Sequence, residues 1–255
     1  MRRVRVIPVL LLSKGGLVKS VRFKSHKYVG DPINAVKIFN EKEIDEIVVL
    51  DIDASRERRG PNLAQISELA GEAFIPLAYG GGISTIDEVK KLFYLGIEKV
   101  VLNYQAFANP ALISEAAKLV GSQSVVVSVD VKKNIFGKYK VYVKNGAEST
   151  GLDPLAFTSK MQEAGAGEIF LNSIDRDGTY GGYDLELIRN LSHQLSIPLI
   201  ACGGASGLDD FTSAIDSGAS AVAAGSLFVF QRPHNAVLIS YPSQKDLKEK
   251  VYSRI

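Results

Sequence analysis

Short apolar runs rich in Val, Ile and Leu punctuate the chain at 4–11, 46–50, 75–78, 99–102, 124–129, 168–171, 197–201 and 219–223. Between them, at 32–43, 84–95, 110–120, 154–164, 184–195 and 208–217, apolar residues return every three or four positions. The first pattern predicts β-strands and the second amphipathic helices. The strands are apolar throughout rather than alternating, as in a parallel sheet covered on both faces. Eight strands alternating with helices predict an α/β fold, a single (β/α)8 TIM barrel. An open doubly wound sheet is the alternative, but its spaced-glycine fingerprint is absent after the first run.

Length agrees, since 255 residues suit one barrel domain spanning 1–255, a fold that typically takes about 250. The chain also repeats itself. "IPLAYGGGIS" from Ile75 and "IPLIACGGAS" from Ile197 are related, and one offset of 122 residues relates Glu46 to Glu168, Asp53 to Asp175, Gly81 to Gly203 and Gly82 to Gly204. This predicts two four-strand halves with equivalent loops on opposite sides of one face. Such an arrangement suits an elongated ligand with a phosphate at each end.

Composition narrows the setting. A net charge of +2 gives no reason to expect a nucleic-acid partner or a membrane surface, and no apolar run approaches the roughly 18 residues that span a bilayer. The basic start and apolar run resemble a signal peptide, yet Pro8 interrupts the run and no small-residue cleavage site follows. Cys202 is the one cysteine and cannot form an internal disulfide, which points to a reducing compartment, the cytoplasm.

Candidate chemistry gathers at the predicted strand ends. Gly80–Gly82 and Gly203–Gly204 precede helices, where backbone N–H groups can approach an anion; tight turns are the plainer use of the same glycines. "AAGSLF" at 223–228 adds Gly225 and Ser226 to that side. Asp51, Asp53, Asp130, Asp175 and Asp177 mark strand ends, as general acids or bases or as helix caps. His26, His193 and His234 have no metal-ligand spacing, and neither metal nor cofactor is called for. The segment 14–30 reads as a long basic loop and candidate lid carrying Lys19, Arg22, Lys24 and Lys27, and 131–150 as a short hairpin insertion.

These residues, in this order, resemble the cyclase subunit of imidazole glycerol phosphate synthase. The likeness runs from "RVRVIP" to "SLFVF" and includes "GDPINA", "DIDAS", "GGGI", "DRDGTYGGYDLEL" and "GGASGLDD". It implies a phosphate site at Gly82 and Asn103, and another at Asp177, Gly178, Gly203, Gly225 and Ser226. It further implies Asp130 as one of two catalytic aspartates and Lys19 as a lid lysine. It implies an ammonia gate of Arg5, Glu46, Lys99 and Glu168, and a heterodimer with a class I glutaminase, with Glu98 at an acidic contact. An ion-pair cluster at the stability face of a barrel is the alternative for the four gate residues.

The second catalytic aspartate is missing, because Leu11 stands in its place and leucine cannot transfer a proton. Tyr104 replaces a small Thr, and Asp53 stands where the family has Thr. This combination resembles the cyclase-like proteins of bacterial surface-polysaccharide gene sets, which implies ammonia supply for amidination of a sugar. Two alternatives stand beside it: an authentic histidine-pathway cyclase with its acid/base function relocated, for instance to Asp53, and a non-catalytic scaffold that activates a glutaminase.

Overall fold

The computed structural model describes residues 4–254. The basic start, Met1–Arg3, and Ile255 lie outside the described residues. Eight parallel strands form the frame: β1 (Arg5–Ser13), β2 (Ile47–Asp51), β3 (Leu77–Gly80), β4 (Lys99–Leu102), β5 (Val125–Lys133), β6 (Glu168–Ser173), β7 (Leu199–Cys202) and β8 (Ala221–Ala224). Each pairs with the next, β5 pairs with β6 through Glu168↔Val126 to Ser173↔Val131, and β8 returns to β1 through Arg5↔Ala221. The sheet therefore closes on itself as a (β/α)8 barrel.

Eight helices alternate with the strands or follow the last: α1 (Pro32–Asn40), α2 (Leu63–Glu72), α3 (Ile86–Tyr94), α4 (Ala111–Val120), α5 (Pro154–Glu163), α6 (Leu185–Ser192), α7 (Leu208–Asp216) and α8 (Gln244–Lys250). The internal repeat reappears in how they begin. Asp31 caps α1 ahead of Pro32, and Asp153 caps α5 ahead of Pro154. Asn62 caps α2 and Asp184 caps α6 at the same 122-residue spacing. Before α3, Ser84 donates its N–H and hydroxyl to Glu88, and before α7 Ser206 does the same to Asp210. Each cap satisfies N–H groups that the first helical turn leaves without partners.

Strand side chains sort into two apolar layers. Outward residues such as Val6, Leu10, Val49, Val127 and Leu171 pack against the helices. Inward residues, among them Ile7, Val48, Ala78, Val101, Val126, Phe170, Ile200 and Ala221, fill the barrel. This two-sided burial is why the strands read as unbroken apolar runs.

Several expected boundaries shift. The runs at 75–78 and 197–201 start two residues late as strands, at Leu77 and Leu199. Pro76 and Pro198 have no N–H for the ladder, and contribute only carbonyls, to Ile47 N–H and Ile169 N–H at 2.9 Å each. Helix α2 was not among the expected helices. The expected loop 14–30 is instead a hairpin: the strand Gly16–Val21 continues antiparallel from β1 through Leu11↔Val18 and pairs with Lys24–Gly30. The segment 131–150 is a hairpin too, in which the end of β5 pairs with Tyr139–Val143. Both nine-residue strands, β1 and β5, thus run on beyond the barrel rim.

Phe170 is fully buried at the centre of the inner layer. Phe170→Ala is predicted to cost about 3–5 kcal/mol in denaturant unfolding; a loss below about 1 kcal/mol would contradict tight packing there.

Candidate functional site

At the N-terminal mouth four inward side chains meet. Arg5 donates to Glu46 at 2.5 Å and to Glu168 at 2.6 Å, and Lys99 donates to the same two carboxylates at 2.9 and 3.0 Å. Signs alternate around the ring, so each charge has two opposite neighbours. Burial works against the Arg5 charge, but Glu46 and Glu168 outweigh it and hold its pKa above the ordinary value. Glu46 is 2% exposed, and one of its oxygens has no hydrogen-bond partner. The four residues expected at the gate are therefore in mutual contact.

Strand alternation carries this register to the other end. Four residues beyond the ring members stand Val9, Leu50, Asn103 and Asn172, and all four line a C-terminal cleft. Lys19, Asp130, Asp177, Gly82, Gly225, Ser226 and Leu11 line it as well.

Lys19 sits on the first hairpin, yet it is 5% exposed. Its ammonium donates to the carbonyl of Val9, and a Cβ on Gly225 would lie 2.5 Å from its Nζ, so Gly225 and the lysine tip are close neighbours. Burial lowers the Lys19 pKa to about 8 against the pull of Asp177. Its side chain is therefore turned into the cleft from the hairpin strand.

Asp130, 7% exposed, is a buried carboxyl in the same cleft. Burial and the nearby Asp177 charge raise its pKa to about 7, opposed by hydrogen bonds from Asn103 and Ser128. Asn103 donates to Asp130 at 3.2 Å and to the carbonyl of Ser128 at 3.0 Å. A carboxyl with a pKa near neutrality can both give and take a proton. Asp177 is likewise raised by burial, against Lys19 and a hydroxyl bond from Ser20 at 3.1 Å. Leu11, at the position of the family's second aspartate, presents only hydrocarbon to the same cleft.

The glycine-rich candidates converge. Asp177, Gly178, Gly203, Gly225 and Ser226 surround a recess of about 270 Å³. Gly82 lies at the other end of the cleft with φ +74, where a Cβ would meet the Arg59 carbonyl at 2.4 Å.

Other acids fall away from the chemistry. Asp53 accepts from Ser13 Oγ at 2.7 Å and from Lys14 N–H at 3.3 Å, tying the end of β1, and does not line the cleft. Asp53 thus stands apart from Lys19, Asp130 and Asp177, which do line it. Asp175 ties the end of β5 in the same manner, accepting from Lys133 N–H at 2.9 Å. Asp51 does line the cleft but is held by Arg59 through two bonds at 2.7 and 2.9 Å. His26, His193 and His234 are all exposed.

Cleft residues that sequence reasoning missed are Ser128, Asn172, Lys144 and Asn145. The first two were within reach of strand alternation, since Ser128 shares a face with Asp130 and Asn172 shares one with Glu168. Lys144 and Asn145 depend on how the second hairpin folds back, which no local pattern announces.

A family model described as histidine biosynthesis protein matches residues 5–233. The chain belongs to this family. It is 52% identical over 248 residues to the Pseudomonas aeruginosa protein named "Putative imidazole glycerol phosphate synthase subunit hisF2", covering 97% of this chain and 99% of that one. A Leptospira interrogans protein named "Putative imidazole glycerol phosphate synthase subunit HisF" is 46% identical over 254 residues, 99% of this chain and all of its own length. "Imidazole glycerol phosphate synthase subunit HisF" of Alkaliphilus metalliredigens is 44% identical over 225 residues, 88% of this chain and 89% of that one. The chain is thus HisF-like along nearly its whole length.

Between about pH 4, the ordinary carboxylate range, and about pH 7, the folded chain keeps a proton on Asp130 that the unfolded chain has lost. Stability from this group therefore falls as pH rises through that window. Asp130→Asn is predicted to raise the melting temperature at pH 8 and to raise it less at pH 5. Equal shifts at both pH values in thermal unfolding would contradict the raised pKa.

Proposed function

We propose that the chain is the ammonia-channelling barrel subunit of a glutamine amidotransferase system. It works in the cytoplasm with a class I glutaminase on its N-terminal face, and serves the amidination of a bacterial surface sugar. The observation that carries this reading is the closed ring of Arg5, Glu46, Lys99 and Glu168 with an apolar column behind it. From the ring to the cleft the inward side chains are Ile7, Val48, Ala78, Val101, Val126, Phe170 and Ile200, with Ala221 and Ala223 on β8. Neutral ammonia can enter such a lining, whereas ammonium would leave its hydration at a prohibitive cost. The charge ring excludes bulk water until its ion pairs part.

The N-terminal face also offers a docking surface. Phe74, just before β3, is 84% exposed, and Tyr94, at the end of α3, is 91% exposed. Glu98, the residue preceding β4, is exposed beside them. Large exposed aromatics with a charged neighbour are the usual anchors of a protein interface.

At the cleft, the paired glycine ends favour a phosphorylated ligand, and Lys19 and Asp130 are the groups in reach of its reacting centre. Leu11 sets this chain apart from a cyclase that uses two aspartates. The second reading, an authentic imidazole glycerol phosphate synthase cyclase of histidine biosynthesis, draws its support from Asp130, whose pKa near 7 suits single-residue acid/base work. A non-catalytic scaffold that only activates the glutaminase is disfavoured by the buried Asp130, because an unused buried carboxyl lowers stability without return.

The deciding assay supplies the imidazole precursor ribonucleotide and excess ammonium to the purified chain, so that no glutaminase is required. The proposal predicts no imidazole glycerol phosphate from the parent chain and measurable turnover from Leu11→Asp. Turnover by the parent that is lost in Asp130→Asn would instead establish the histidine-pathway reading.

A further inference from the structure

The turn 144–147 joins Tyr139–Val143 to the short strand Glu148–Ser149, which pairs with it antiparallel, and it reaches the cleft. Lys144 and Asn145, both in that turn, line the cleft. They are held in the left-handed region, with φ +54 and +57, and Gly146 follows at +71. Asparagine tolerates this conformation, but lysine has no side-chain reason to adopt it. A residue kept in a disfavoured backbone state is retained by what surrounds it, and such residues gather at ligand sites.

What surrounds Lys144 is Tyr104, whose ring centre lies 4.8 Å from the lysine Nζ. Tyr104 is also a cleft residue. Its ring occupies space next to Asn103 that a small side chain would leave open. Two neighbouring carboxylates, Asp51 and Glu57, are both taken up by Arg59. Arg58 is close enough to act against the Lys144 charge, and Glu148 is the one carboxylate paired with Lys144, at 2.8 Å and with 49% side-chain exposure. Asp51 is already saturated by Arg59. An exposed lysine–glutamate pair four residues apart is a weak, water-screened contact that a bound ligand can replace.

We propose that Lys144 is a binding residue for an oxyanion of the phosphate class at the Gly82 end of the cleft, with Tyr104 holding its stem and Asn145 beside it as an amide donor. The assignment rests on the reading above that the cleft takes a phosphorylated ligand. It adds the residue that sets how that ligand's outer end is held. The second hairpin thereby becomes part of the specificity apparatus instead of an insertion at the rim.

The test is calorimetric titration of the full chain with inorganic phosphate at constant ionic strength, for the parent and for Lys144→Met, Lys144→Arg and Glu148→Gln. The parent is expected to bind two phosphates, one at each end of the cleft. Lys144→Met should weaken one of them about tenfold and leave the other unchanged, as for loss of one charge-assisted contact, while Lys144→Arg should retain both. Glu148→Gln should tighten the weakened site, because it frees the lysine. If Lys144→Met and Glu148→Gln weaken binding alike, or neither moves it twofold, Lys144 serves only its ion pair and the assignment is overturned. If the parent binds no phosphate at either end, both the assignment and the phosphorylated-ligand reading fall together.

Discussion

Closing eight parallel strands on one another forces every second side chain of each strand into a common interior. Nothing placed there can be solvated from the side, so each inward position must be apolar, paired or at an open end. The chain obeys this at every level. Charges appear at the N-terminal mouth, where Arg5, Glu46, Lys99 and Glu168 neutralise one another. Hydrocarbon fills the middle, and polar groups return only at the cleft, where Asn103, Ser128, Asp130 and Asn172 face a ligand-sized space.

The ring and the cleft are consequences of that one register. A buried ion pair returns little net stability once desolvation is counted, so four inward charges at the closed end are poorly explained as a stabilising device alone. Under the proposed ammonia route they form a plug that opens by breaking ion pairs rather than by unfolding strands. At the other end the same burial shifts Lys19 down and Asp130 up toward neutrality. Two groups that would be fully charged in water are brought close to exchanging protons with a ligand. Leu11, where the resemblance implies a second aspartate, lines the cleft without adding a proton carrier.

Much of this was legible in the residues. The apolar runs and the 122-residue repeat gave the barrel and its halves, and the repeat reaches down to paired N-caps such as Asp31 with Asp153 and Asn62 with Asp184. The ring was visible through family likeness, and alternation alone leads from it to Asn103 and Asn172. The two hairpins were harder. The segment 14–30 reads as a loop because exposed basic residues alternate along Lys24–Gly30, and the buried face of Gly16–Val21 includes a lysine, a residue seldom found inside. Lys144 was hidden for a different reason, since its place depends on long-range folding of the hairpin onto Tyr104.

In the proposed function this barrel receives ammonia from a glutaminase seated on its charged end. The most direct measurement is the rate of glutamine hydrolysis by a purified class I glutaminase from the same organism, alone and with increasing amounts of this chain. The account predicts a saturable rise in hydrolysis that levels off at one chain per glutaminase. An unchanged rate, with no complex in sedimentation at the same concentrations, would contradict it.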